Sequence, residues 1–259
     1  MAGAGASRAA SPILDRGAES RHVSSQITYK DLRSGVRPSG DVSVVGDGFV
    51  VGADLRNWRS RWLAFGDAVG MLDDWLPRPL RRSRVGRGVP EFIDCDFSGL
   101  RCRRFHPGIV RFTRCIFRDV NVKLNMGVSS AHFRECTFSG KWEGNFDARP
   151  LSRDPARRVT ISGNDFRGCR GFSLQGGVGR SDNLFDPALH LVLWRGTPAW
   201  DQVKEVALQD AYLGMLTSSM EGHGPLDLAQ DWVIVQRDDL GEGVWRKPWQ
   251  ILPEGGYTQ

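Results

Sequence analysis

From Pro90 to Val122 the chain carries an apolar pattern with a period of five. One series runs Phe92, Phe97, Cys102, Pro107, Phe112, Phe117 and Val122. A second, offset by two, runs Pro90, Cys95, Leu100, Phe105, Val110, Cys115 and Val120. The residues between are mostly Arg, Asp, Ser, Gly and Thr. A helix repeats its faces about every 3.6 residues and a strand every second residue, so neither produces this spacing. A chain that points inward twice in five residues, turns and repeats is predicted to wind around a square coil. Four such faces make about twenty residues per turn.

The longer period agrees with the shorter one. Phe92-Ile93-Asp94-Cys95-Asp96-Phe97 returns as Phe112-Thr113-Arg114-Cys115-Ile116-Phe117, and again as Phe133-Arg134-Glu135-Cys136-Thr137-Phe138. A weaker fourth copy, Ile161-Ser162-Gly163-Asn164-Asp165-Phe166, is displaced by an excess placed in the Pro/Arg-rich stretch Asp147 to Arg158. Self-similarity at fixed spacing marks a solenoid, whose repeats bury apolar faces only by stacking on their neighbours.

These residues resemble the pentapeptide-repeat family, and Ala53-Asp54-Leu55-Arg56-Asn57 fits the same loose consensus upstream. The resemblance covers roughly Pro90 to Leu174 and implies a right-handed β-helix. It departs from the family in its few coils and in its preference for Phe over Leu at the central position. Asn125, Gly127, Lys141 and Glu143 also interrupt the register. A pectin-lyase-like β-helix is the alternative, but its coils are usually longer and less regular.

The expected fold is therefore mainly β: a short right-handed β-helix of pentapeptide-like coils, with a capping helix and a C-terminal α+β region. Residues 1–25 read as a disordered tail, being rich in Ala, Gly and Ser without a continuous apolar core. Residues 26–89 read as N-terminal strands and a capping helix. Within them, Trp58, Trp62, Phe65, Val69, Leu72 and Leu76 fall at helical spacing over Asn57 to Leu76, before Pro77 and Pro79. Covering an open end of the solenoid is the expected job of that helix. A basic loop, Leu80 to Val89, follows. Residues 90–175 are the coils, and Gln175 to Asp182 is a Gly-rich boundary. Residues 176–259 read as a Trp-rich α+β cap with strands at Leu189 to Trp194 and Trp232 to Gln236 and a helix at Ala199 to Leu216.

Cysteine usage bears on compartment. All five Cys (Cys95, Cys102, Cys115, Cys136, Cys169) fall in the repeat region, three at one coil position. Stacked strands lie about 4.8 Å apart, so Cys95, Cys115 and Cys136 should form an inward ladder beside the Phe ladder. Reduced, buried thiols acting as small hydrophobes point to a reducing cytoplasm, and the protein is expected to be a bacterial one. Paired C-x-x-C spacings that would suggest metal are missing, and no apolar run is long enough to span a bilayer.

No catalytic, cofactor-binding or metal-binding residue is predicted. Gly176-Gly177-Val178-Gly179 lacks the Lys and Ser/Thr of a phosphate loop. The five His are scattered and expected to be exposed, with His106 and His132 able to meet on the coil surface. The coil projection stacks Asp94, Arg114 and Glu135 in one column, and Glu91, Arg111 and His132 in another. Opposite charges alternating up a column suit a structural ladder. A glycan enzyme would need two carboxyls held at different pKa values instead.

Some members of the resembled family imitate DNA with an acidic surface. From Glu91 to Leu174 this chain has fifteen bases against nine acids, a net of +6 and the wrong sign. The functional expectation is a non-catalytic protein-interaction or scaffold module. The alternative is a carbohydrate-active β-helical enzyme, and nucleic-acid binding through the basic outer face ranks third. Arg101, Arg103 and Arg104 are the candidate partner-binding residues, because Asn121, Lys123 and Leu124 one rung above offer no acid to neutralise them. An acidic protein partner is expected. With the aromatics directed inward, nucleic acid has no stacking platform. No membrane contact is expected, and a homodimer stays open.

Overall fold

The period of five translates into a chain that steps between two parallel sheets. In the computed structural model, the described residues are 25–36, 39–46, 48–65, 89–108, 110–128, 131–147, 160–175, 182–194 and 232–236. The elements are β1 (Ser25–Thr28), α1 (Tyr29–Arg33), β2 (Val42–Val45), β3 (Phe49–Val51), β4 (Arg59–Phe65), β5 (Glu91–Ile93) and β6 (Arg101–His106). They continue with β7 (Arg111–Thr113), β8 (Ile116–Val128), β9 (His132–Arg134), β10 (Thr137–Asp147), β11 (Ile161–Ser162), β12 (Asp165–Gln175), β13 (His190–Trp194) and β14 (Trp232–Gln236). The even strands from β2 to β12, flanked by β1 and the β14–β13 pair, make a nine-stranded sheet. The odd strands β3 to β11 make a five-stranded one. The architecture is mainly β.

Register follows the sequence repeat. Phe92 pairs with Phe112 and Phe112 with Phe133, each one rung higher in the five-stranded sheet. In the nine-stranded sheet Phe117 pairs with Phe138, and one residue of slippage before Gly140 absorbs the twenty-first residue of that repeat. Gly140 is required there: its φ is +93°, and a Cβ would lie 2.3 Å from the Val120 carbonyl oxygen.

The core is a double column of rings. Phe97, Phe117, Phe138, Phe166 and Phe185 stack face to face at centroid distances of 4.8, 5.1, 4.6 and 5.7 Å. Phe92, Phe112 and Phe133 form the second column at 5.3 and 4.9 Å. The columns meet edge to face, as in Phe97–Phe112 at 5.8 Å, the geometry aromatic quadrupoles favour. The first column passes the Gly-rich boundary, since Phe185 still stacks on Phe166 and Leu184 bridges Asp165.

The helix expected over Asn57 to Leu76 is corrected. Arg59–Phe65 is β4, paired in parallel with β6 and β2; residues 66–88 lie outside the described residues. Trp58, Trp62 and Phe65 do sit at helical spacing, but two five-residue series pass through Trp58 and Phe65: Ala53, Trp58, Leu63 and Val50, Leu55, Ser60, Phe65. Ser60, polar and facing Cys102, interrupts the second series. Its hydroxyl is satisfied by donating to the Trp62 carbonyl, so the position tolerates it. The helix that covers the N-terminal end is instead α1. Its Thr28–Asp31 capping box starts it, and it buries Tyr29, whose ring lies 5.4 Å from Phe92, together with Leu32.

At the other end, β14 pairs antiparallel with β12, and β13 with β14. The expected helix at 199–216, the tail at 1–24, the basic loop at 80–88 and the segment 148–159 fall outside the described residues. Among those described, no helix is long and apolar enough to cross a membrane.

Candidate functional site

The outward-facing positions of the nine-stranded sheet carry cations in columns. Register places Arg59, Arg101, Asn121, Lys141 and Arg170 on successive strands. One column over, Arg103 stands level with Lys123, because the same offset holds on either side of it. Arg59, Arg101, Arg103, Lys123, Lys141 and Arg170 are all exposed. Lys141 has an acidic partner in Glu143, 2.5 Å away. No carboxylate among the described residues lies within 4 Å of Arg59, Arg101 or Arg103.

The three predicted partner-binding residues share strand β6 but not the same situation. Arg103 is exposed. Arg101 is exposed too, and its Nη1 donates to the carbonyls of Leu100, at 3.2 Å, and Asp119. Arg104 is half-buried, with its guanidinium 4.4 Å from the Trp62 ring centroid; it covers an outward-facing Trp, a cation–π contact. Arg59 escaped the sequence reading because its strand was taken for helix. Following the five-residue series on from Ala53 would have found it.

The corners between the sheets hold several of the acids. Asp94, Arg114 and Glu135 adopt left-handed φ of 54°, 52° and 55° at equivalent places. Arg114 grips Asp94 with two hydrogen bonds of 2.7 and 2.8 Å, which hold the Asp94 carboxyl below the usual carboxylate range. Glu135 instead pairs with Arg134 at 2.9 Å. Glu91 accepts from the Thr113 hydroxyl rather than pairing with Arg111. Asp96 accepts from the Ser98 amide and Asp165 from Arg167. Among the described residues, the Asp31, Asp94 and Asp165 carboxyls are held below the usual range by hydrogen bonds, chiefly from Thr28, Arg114 and Arg167 respectively. A general acid needs the opposite displacement.

The non-catalytic expectation predicts no cleavage of soluble polysaccharides. Reducing-end assays on wild type and on Asp94→Ala, Asp96→Ala and Glu135→Ala check it: a wild-type activity lost in one of the variants would establish a glycan enzyme.

The thiols are buried and packed. Cys95, Cys115 and Cys136 each lie within 3.4 Å of a carbonyl oxygen one rung below, those of Val50, Phe92 and Phe112. All five cysteines are free. Burial pushes the Cys102 thiol up to about 12 and holds Cys169 well above the ordinary thiol range. Cys95 and Cys115 are raised chiefly by the next thiol in the ladder, Cys115 and Cys136 respectively. Such thiols make poor nucleophiles and ligands. No cluster of three or more potential metal ligands occurs among the described residues.

The histidines depart from expectation. His106, on β6, is buried and His132 half-buried on β9 in the other sheet, so the two are not brought to one surface. His190 is fully buried: Nδ1 accepts from the Asp186 amide at 3.0 Å, leaving Nε2 to donate to the Cys169 carbonyl at 2.9 Å. Only the neutral ring satisfies both. Burial accordingly lowers the pKa of His190, and of His132. The unfolded chain therefore binds protons that the folded one refuses, and stability should fall as pH drops below the unfolded value of about 6.5. Thermal melts at pH 7.5 and 5.5 measure this. A His190→Gln variant should flatten the dependence, and equal melting points at both pH values in wild type would contradict it.

Compared with known proteins, the chain matches no family model, no curated protein sequence and no solved structure.

Proposed function

We propose that this protein is a non-catalytic, pentapeptide-repeat-like right-handed β-helix that works as an interaction or scaffold module, holding an acidic protein partner on the basic face of its nine-stranded sheet. The observation that carries the reading is the contrast between that face and the corners. Corner carboxylates such as Asp94 and Glu135 are paired with arginines, whereas Arg59, Arg101 and Arg103 stand on adjacent strands with no carboxylate of the described residues within 4 Å. The β-helix itself is supported by the alternation of parallel strands between two sheets, since crossovers between parallel strands are almost always right-handed. The free, buried thiols favour a reducing cytoplasm.

Affinity capture from native lysate tests the reading, with wild type compared against Arg59→Ser/Arg101→Ser/Arg103→Ser. An acidic protein should be retained by wild type at low salt, be released as salt rises, and be lost from the triple variant. Equal retention by both proteins would overturn the assignment of this face.

A further inference from the structure

The basic face is not flat where β4 meets β6. Gly40, Asp41, Arg59, Arg61, Arg101 and Arg103 line an open groove of about 770 Å³. Asp41 is tied to the wall, its Oδ1 accepting from the Arg61 and Trp62 amides at 3.0 and 2.9 Å. Arg101 and Arg103 are both exposed and stand two residues apart with buried Cys102 between them, and across the groove Arg59 stands level with Arg101.

We propose that this groove receives an extended acidic peptide segment with carboxylates at alternate residues, lying parallel to β4 and β6. The proposal rests on the reading of the protein as an interaction module and specifies what that partner presents. The match is one of spacing. Alternate side chains of an extended chain lie about 6.6 Å apart, the same interval as Arg101 and Arg103, because both follow strand geometry. Neighbouring rungs lie about 4.8 Å apart, so one carboxylate fits between the guanidiniums of Arg59 and Arg101. The next falls beside Arg103, with Lys123 one rung higher. Arginine suits this role because its planar fork donates two parallel hydrogen bonds to a carboxylate. Nucleic acid fits less well: the rings that would stack on bases are inside, and Trp62, the ring on this face, is buried beneath Arg104.

Fluorescence anisotropy with a labelled alternating Glu-Ser peptide tests the proposal on the full chain. A block peptide of the same composition and a short oligothymidylate serve as competitors. The alternating peptide should bind at low salt and outcompete both. Arg59→Ser/Arg103→Ser should weaken binding about tenfold, with its circular dichroism and melting point unchanged. Arg59→Lys/Arg103→Lys, which keeps charge but loses the fork, should fall between. Equal binding of the block peptide, preference for oligothymidylate, or an unaffected Ser variant would each overturn it. If the peptide fails while lysate capture still depends on Arg59, Arg101 and Arg103, this proposal falls and the interaction reading stands; if both fail, both fall.

Discussion

Replacing Phe117 with Ala is expected to lower the unfolding free energy by about 3–5 kcal/mol. Its ring lies between Phe97 and Phe138, nearly parallel to both at 7° and 4°, and meets the edges of Phe112 and Trp142 at 5.5 and 5.8 Å. Rungs above and below are fixed by strand pairing, so the cavity has no side from which to collapse. In a chain of this size the loss corresponds to roughly 6–20 °C in melting temperature. Phe185 is the internal control. It stacks on Phe166 from the end of the column and is 8% exposed, so Phe185→Ala should cost clearly less. Urea and thermal unfolding of the two variants decide the matter. Equal losses would mean that the column behaves as generic apolar filling rather than as a stack.

Asn164→Ala is expected to cost about 2–6 kcal/mol, although it removes little apolar volume. Asn164 occupies the place held by Cys136, Cys115 and Cys95 in the rungs below. Its Oδ1 accepts from the Cys136 amide at 2.9 Å, and its Nδ2 donates to the Phe133 carbonyl at 3.0 Å and to Asn183 Oδ1 at 2.9 Å. Asn183 repeats the device, donating to the Ile161 carbonyl. Ala would strip hydrogen-bond partners from two buried backbone groups, at about 1–3 kcal/mol each. Asn164→Cys should recover part of the loss, since a thiol can still approach the Phe133 carbonyl as those below approach theirs. Hydrogen exchange at the Cys136 amide gives a local readout: it should speed up in the Ala variant beyond any global change. An unchanged melting point for Asn164→Ala would remove the ladder from the account of stability.

The sequence made the sheet register legible wherever the inward residues were apolar. Phe92, Phe112 and Phe133, and Phe97, Phe117 and Phe138, align in space as they do in the repeat. Legibility failed where a polar residue stood inward with its own partner. Ser60 broke the series and made β4 resemble a helix, which concealed Arg59 and half of the groove. Asn164 made the fourth copy look weak and Asn183 hid a fifth, although their side chains do the bonding that keeps them in register. On the outer face, charge alone marked Arg101, Arg103 and Arg104 as equivalent. Their different engagement depends on Trp62 and Asp119, which reach the patch through strand pairing and have no proximity in sequence.

The two kinds of corner have unequal freedom to change length. Each passage from the five-stranded sheet to the nine-stranded one is short and carries a left-handed residue: Gly52, Asp94, Arg114, Glu135 or Gly163. The return passages vary. Three residues separate β8 from β9, thirteen lie between β10 and β11, and twenty-five between β4 and β5, yet β3 still pairs with β5 and β9 with β11. Loop closure grows only logarithmically with length, so a return corner admits new sequence at small thermodynamic cost, while an outward corner would have to give up its fixed turn. Lineages of this protein can therefore acquire whole segments, and protein engineers graft them, along one edge of the molecule without disturbing the basic face.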